Sequence, residues 1–282
     1  MKINWHSDDC RKMKVHEKNG VTYLTYPQLD ELEGYVHCFS TRLGGVSEGI
    51  YSSMNLSFTR GDCEEAVAEN YRRISGALGF RPEDIVTSNQ THTTNVRVVT
   101  EADKGCGVVK PRLFEDVDGM VTDIPGIVLA TFYADCVPLY FIDPVHRAIG
   151  LSHSGWRGTA GRMGLATVNR MKQEYGSDPS RMYAAIGPSI CQKCYEVSED
   201  VIIEFRKAFL PEQWGSIYYA KDGGKYQLDL WMANKIILTE AGIPENHISM
   251  PNLCTCCNPD FLFSHRASHG KRGNLGAFLG IK

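Results

Sequence analysis

Three side chains able to ligate a soft metal stand at the ends of apolar runs. They are His92 in SNQTHTTNVRVV, Cys136 in TFYADCVPLYFID and His153 in IGLSHSGWRG. Two imidazoles and a thiolate, with a fourth position left open, make up the usual form of a catalytic zinc site. The same donors accept copper. Cys136 and His153 could also work without metal, as a nucleophile and its base. Taken singly, each residue is more often a small buried hydrophobe or a hydrogen-bonded rim residue, and no short-range ligand motif such as HExxH links them. After His153 comes Gly155-Trp156-Arg157-Gly158. Two glycines within four residues let backbone approach another group closely, and an arginine between them, just before a helix start, suits an anion.

These residues need strands that end together. Cys136 and His153 are seventeen positions apart, with Asp143-Pro144 between them as a turn. An adjacent strand pair with that turn brings thiol and imidazole to one end of a sheet. The flanking apolar runs 127–133 and 137–142 and the run 148–151 read as buried strands, as do 85–88, 96–99 and 182–186. Val21 to Tyr26 alternates like a strand after the turn Asn19-Gly20, and 35–40 and 248–250 are further strand candidates. Ala68, Tyr71, Ile74 and Leu78 give 64–78 helical spacing, with Asp62 as a candidate cap. Helical patterns recur at 198–209, where Ser198 could cap, and at 228–240. Strands and helices without strict alternation predict an α/β fold, a mixed layered sandwich. No linker composition divides the chain, so one domain over 1–282 is expected, with 1–33 as an N-terminal hairpin extension.

Composition narrows the class. The 282 residues are 43% hydrophobic and 22% charged, which is ordinary globular composition. Thirty basic against 33 acidic residues give a net charge of -3 without a basic block, so nucleic acid is not an expected partner. No apolar run reaches membrane-span length, and MKINWHSDDCRK lacks the apolar core of a signal peptide. A cytoplasmic monomer or homodimer is expected. Ten cysteines (10, 38, 63, 106, 136, 191, 194, 254, 256 and 257) then read as thiols or metal ligands, not disulfides.

Six segments in order resemble one family: STRLGGVSEGIYSSMNL, QTH, ADCVPLYFIDP, HSGWRG, GPSICQKCYEV and CTCCNPDFLFSHR. It is the laccase-domain family, known as multicopper polyphenol oxidases and as peptidoglycan editing factors, of the purine nucleoside phosphorylase type. The likeness runs from about residue 34 to the C-terminus. It implies a two- or three-layer α/β fold similar to the catalytic domain of cytotoxic necrotizing factor. It also implies a metal triad at His92, Cys136 and His153 holding zinc, with copper possible. The implied activity is phosphate-dependent cleavage of adenosine, inosine, guanosine and methylthioadenosine, with deamination of adenosine. Copper-linked phenol oxidation and editing of peptidoglycan precursors are attributed to relatives. Two positions depart from the pattern. Thr91 stands where valine is frequent, and Asn274 stands where an arginine closes the C-terminal motif, so a substrate contact of that arginine is either lost here or taken over by Lys271 or Arg272.

With phosphate and a purine nucleoside as the implied partners, other residues gain candidate roles. Arg42 with Gly44-Gly45 is an anion-binding loop, and Arg157 supplies a second. For each arginine the competing reading is a surface ion pair. Asn55 could bond the base or sugar, or simply form its turn. Asp135 could orient a ligand histidine, or be a turn carboxylate. A multicopper centre needs many paired histidines, and this chain has nine, with no His-x-His pair. A cysteine amidase on Cys136 and His153, and a non-catalytic binding module, are the remaining alternatives. Cys191, Cys194, Cys254 and Cys257 have structural-zinc spacing, but neither CxxC is followed by glycine, which favours reduced thiols or an adventitious disulfide.

Overall fold

The computed structural model describes residues 2–7 and 13–282; Cys10 lies outside them. The strands are β1 (Lys14–Lys18), β2 (Val21–Thr25), β3 (Tyr35–Ser40), β4 (Ile85–Thr87), β5 (Val96–Val98), β6 (Gly119–Thr122), β7 (Val128–Tyr133) and β8 (Val137–Asp143). They continue with β9 (Ala148–Ser154), β10 (Tyr183–Ile186), β11 (Glu196–Ser198), β12 (Tyr218–Lys221), β13 (Lys225–Leu228), β14 (Ile248–Ser249) and β15 (Leu275–Ile281). The helices are α1 (Pro27–Asp30), α2 (Glu64–Leu78), α3 (Trp156–Ala160), α4 (Met163–Tyr175), α5 (Glu199–Ala208), α6 (Pro211–Ile217) and α7 (Leu230–Glu240).

Two mixed six-stranded sheets carry the fold, ordered β1-β2-β3-β15-β7-β4 and β14-β10-β8-β9-β6-β5, with an antiparallel trio β11-β13-β12 beside them. The sheets face one another. Phe39, Leu129 and Leu279 of the first share a core with Tyr140, Ile142 and Leu151 of the second. Leu139 and Phe141 point the other way, into a core with Val168 and Met171 of α4 and Ile237 of α7. The outer face of the first sheet packs Cys38, Ala130 and Phe278 on Val67, Tyr71 and Ile74 of α2. The result is four layers, helix–sheet–sheet–helix, one or two more than the resemblance implies. Both faces of β8 and β9 are buried, which is why they read as continuous apolar runs without alternation. Each fully buried Leu, Ile or Phe there stabilises by about 1.5–3 kcal/mol. Buried tyrosine hydroxyls lock the sheets together: Tyr26 donates to Ile186 O at 2.7 Å and Tyr140 to Cys38 O at 2.8 Å.

β8 and β9 form the expected hairpin, pairing Val137 with Ser154 and Pro138 with His153. Asp143 Oδ1 accepts the N–H groups of Val145 (2.9 Å) and His146 (3.3 Å) and so closes the turn. α2 spans the predicted 64–78, but Cys63 is its N-cap and no side chain caps it; Asp62 Oδ1 accepts only the Cys63 N–H. Ser198 precedes α5 without a side-chain cap bond to the helix. β15 went unpredicted, yet it is central, paired to β3 and β7.

One buried group makes stability pH-dependent. His37 on β3 accepts the Tyr26 N–H on Nε2 at 2.9 Å. Burial, opposed by Asp30 nearby, brings its pKa down to about 4. The unfolded imidazole takes its proton near ~6.5, so between those values the unfolded chain binds more protons and stability falls as pH falls. Acidifying from neutrality to pH ~4.5 should cost on the order of 2–3 kcal/mol through this group. Urea unfolding of wild type against His37→Gln, which keeps an acceptor but does not titrate, checks it; parallel pH curves would contradict it.

Candidate functional site

His92, Cys136 and His153 meet. Their ligating atoms all lie within 4.8 Å of one another, and the two imidazole rings stand edge to face with centroids 4.9 Å apart. Cys136 is the residue before β8 and His153 the second-last of β9, so their hairpin puts both at one sheet end. His92 arrives on the loop between β4 and β5. Gln90 clamps that loop to β7, accepting the Phe132 N–H at 2.7 Å and donating to Phe132 O at 2.8 Å. Gly155 completes the approach. A Cβ there would sit 3.0 Å from His92 Cδ2 and 3.1 Å from Cys136 Sγ, so the glycine makes room for the cluster.

Asp118 organises the cluster. Its side chain is fully buried, 0% exposed. It accepts the backbone N–H groups of Thr91 (3.0 Å), His92 (3.1 Å) and Thr93 (2.9 Å), the Thr93 hydroxyl (3.1 Å) and His153 Nδ1–H (2.7 Å). One carboxylate thus holds His92 in its left-handed backbone conformation (φ 68°) and turns His153 Nε2 toward the cluster. The sequence reading gave the orienting role to Asp135. That assignment is corrected: Asp135 accepts the Thr255 hydroxyl at 2.6 Å and the Arg266 N–H at 2.7 Å, so both its oxygens are engaged away from the histidines. Its own backbone is left-handed (φ 90°), a conformation a non-glycine residue keeps only when held from outside.

The charges are coupled. Burial pushes the Cys136 thiol up, but the adjacent His153 and hydrogen bonds from both imidazoles outweigh it and bring the thiol down to about 6. Burial disfavours imidazolium at His153, yet Cys136 and Asp118 hold it up to about 9. Asp118 is desolvated too, but His153 and backbone N–H groups bring it down to about 2. The metal-free cluster is therefore a thiolate beside an imidazolium on a carboxylate. Its donors, two imidazole nitrogens and one acidic thiol, fit zinc or copper, and a cation would displace the His153 proton.

The cluster opens into a cleft of about 380 Å³ lined also by Phe58, Arg60, Arg112, Phe132, Arg272 and Asn274. Arg272 is more confined than a surface arginine. Its Nη1 donates to Gly273 O at 3.2 Å and to Asn274 Oδ1. Its Nε is buried with no partner among the described residues. Burial and then the neighbouring Arg60 push its pKa down to about 10. Two guanidinium groups lining one cleft against their repulsion are of the chemistry that suits an anion.

The predicted anion and sugar contacts lie elsewhere. Arg42 donates through Nε to Ser52 O (2.8 Å) and through Nη1 to Pro259 O (2.7 Å), and stacks on Phe263; it ties loops together. Gly44 serves packing, since a Cβ would fall 2.3 Å from Gly20 O in the β1–β2 turn. Asn55 uses both N–H groups and its oxygen within the fold, donating to Ser57 O and Asp62 and accepting from the Ser57 and Asn274 N–H groups. Arg157 lies over its neighbour Trp156 at 4.2 Å, in a separate depression with Glu204 and Lys207. Sequence reasoning missed Asp118, Arg60 and Arg112. The only local sign of Asp118 is an acidic residue opening the apolar segment of β6, where burial forces a carboxylate to find partners.

Asp118→Asn should weaken metal binding by about 10–100-fold, because a neutral amide with one acceptor oxygen replaces the carboxylate, and its NH2 faces either His153 or the donors of the 91–93 loop. A competition titration with a chromogenic chelator measures it, with circular dichroism to check the fold. Unchanged affinity would remove Asp118 from this role.

The family described as multi-copper polyphenol oxidoreductase laccase matches residues 36–282. A Geobacillus stearothermophilus protein named purine nucleoside phosphorylase YlmD is 38% identical over 251 residues, 88% of this chain and 90% of that one. A protein from an unknown prokaryotic organism, named adenosine deaminase RL5, is 36% identical over 234 residues, 82% of this chain and 88% of its own. Among solved structures, Bacillus licheniformis YfiH superposes with a TM-score of 0.89 at 34% identity, over 95% of this chain and 99% of that one.

Proposed function

The chain belongs to the multi-copper polyphenol oxidoreductase laccase family, and from that membership we propose that it is a metal-dependent purine nucleoside phosphorylase. One observation carries the reading: the imidazole–thiol cluster of His92, Cys136 and His153 shares its cleft with Arg60, Arg112 and Arg272. Phosphate sits between Arg60 and Arg272, where its charge relieves their repulsion and Arg272 Nε gains an acceptor. Arg112, whose Nη1 donates to Ser88 O at 2.9 Å, adds positive charge to the same cleft. The purine stacks on Phe132 or on the face of Phe58 not covered by Tyr71, both of which line the cleft. A phosphate oxygen then bonds to the anomeric carbon as the carbon–nitrogen bond to the base breaks. The electron pair leaves with the purine, which takes up a proton, and ribose 1-phosphate remains.

Zinc, or copper on the same donors, supplies Lewis-acid polarisation when bound at His92, Cys136 and His153. Asp118 fixes the His153 ring for that task and Gln90 fixes the loop bearing His92. Adenosine, inosine, guanosine and methylthioadenosine are the proposed substrates. Deamination of adenosine is a second activity of the same cleft, supported by the name of the second relative. We take the chain as one domain over 1–282, with 1–33 as an N-terminal hairpin extension and a distant likeness to the catalytic domain of cytotoxic necrotizing factor. It would act in the cytoplasm as a monomer or homodimer. Among the described residues no helix is long and apolar enough to cross a membrane.

The test is product analysis after incubation with inosine and with adenosine, with and without phosphate. Phosphate-dependent release of hypoxanthine and adenine with ribose 1-phosphate supports the proposal, and inosine from adenosine supports the second activity. Phenol oxidation with added copper, or amide cleavage without any metal, in place of base release would replace it.

A further inference from the structure

We propose a second metal site, structural in role, that binds a zinc-class divalent cation on His6, Cys191, Cys254 and Cys257. One ligand atom from each of these residues lies within 4.8 Å of all the others. Ligand atoms around tetrahedral zinc stand ~3.3–3.8 Å apart, so closing the site requires a contraction of no more than about 1–1.5 Å. One nitrogen and three thiolates form one of the standard closed structural sets.

Backbone bonding already assembles it. Cys254 is bridged in parallel to Ser189, Thr255 N–H donates to Ser189 O at 3.2 Å, and Cys191 N–H donates to Cys254 Sγ at 3.2 Å. The N-terminal segment lies along the same loop. Trp5 bridges Leu253, His6 N–H donates to Asn252 O at 3.0 Å, and Asn4 Nδ2 donates to Cys257 O at 3.0 Å. His6 thus reaches the thiols from the segment that Trp5 bridges to Leu253, a ligand no spacing rule on the CxxC pairs could supply. Cys194 Sγ lies 3.4 Å from Cys257 Sγ, far beyond the ~2.05 Å of a disulfide, and stands as a spare thiol beside the site.

The ligand loops reach the cleft through Asp135. Ile190 N–H donates to its carbonyl at 3.0 Å, and Thr255 bonds its carboxylate. A cation holding Cys191 and Cys254 together therefore braces the left-handed turn that presents Cys136. Uptake deprotonates the thiols and releases protons.

The experiment titrates the metal-free, reduced full chain with cobalt(II) and then zinc, reading thiolate-to-cobalt absorption and stoichiometry. Two equivalents are expected. Cys136→Ala should lose one of them, and Cys254→Ser the other. His6→Ala, which leaves the backbone bonds of its segment to Asn252 and Leu253 in place, should keep its fold and bind the second equivalent about tenfold more weakly. A single equivalent that disappears entirely in Cys136→Ala would overturn the site, as would a Cys194–Cys257 disulfide found by mass spectrometry in zinc-supplied, reduced protein. Retention in Cys136→Ala of the metal lost in Cys254→Ser upholds it whichever way the cleft chemistry is decided.

Discussion

Cys136→Ala is expected to lower kcat/KM for phosphate-dependent base release by about 10³-fold or more, since removing the cation forfeits several kcal/mol of charge stabilisation at the reacting centre. The thiol contributes more than one bond. It is the acidic donor of the cluster, brought down to about 6 against its burial, and it helps hold His153 up to about 9. Alanine fits the same space, and Val137 to Asp143 stay paired with β9, so the fold should survive. The same variant should bring metal content at the cleft to zero. Steady-state kinetics with metal analysis on one preparation decides it; near-normal turnover in Cys136→Ala would retire the cluster as the catalytic engine.

Arg272→Ala should cost about 10²–10³-fold in kcat/KM for phosphate, the range for losing one preorganised charge donor. Arg272 is the more confined of the two facing guanidinium groups and the one with a buried, unbonded Nε. Lysine is a poor replacement, because a point charge lacks the planar fork that matches phosphate. The effect should fall on the phosphate KM more than on nucleoside binding. Initial rates against phosphate at saturating inosine check it, and an unchanged phosphate dependence would move the anion site elsewhere in the cleft.

The convergence of Cys136 with His153 was legible because their chemistry and their topology share one short stretch. Cys136 and His153 flank a single turn, and Asp143-Pro144 announces that turn in sequence. Helix 64–78 showed its period because only one of its faces is buried, on the first sheet. β15 was opaque: every residue of LGAFLGI is buried, so it has no alternation, and its glycines lower its strand propensity. The anion site failed for a different reason. Arg42 and Arg157 stand in glycine-rich loops that advertise anion binding, but their guanidinium groups are spent on carbonyls and on a tryptophan ring. Arg272 was open to notice only as a stand-in for the arginine that Asn274 replaces, Arg60 and Arg112 stand in loops without such a sign, and only tertiary packing brings the three to one cleft. Asp118 is the clearest case. Four of its hydrogen-bond partners lie in the 91–93 loop and the fifth on β9, so its role exists only once the sheets are closed.

The central claim is a single cation shared by two imidazoles and a thiolate beside an arginine-lined cleft. Anomalous diffraction at the zinc edge, on crystals of zinc-loaded protein, tests it most directly. The predicted result is a peak ~2.0–2.1 Å from an imidazole nitrogen of His92 and of His153 and ~2.3 Å from Cys136 Sγ. No peak among these three residues, in protein that still releases base from inosine, would contradict it.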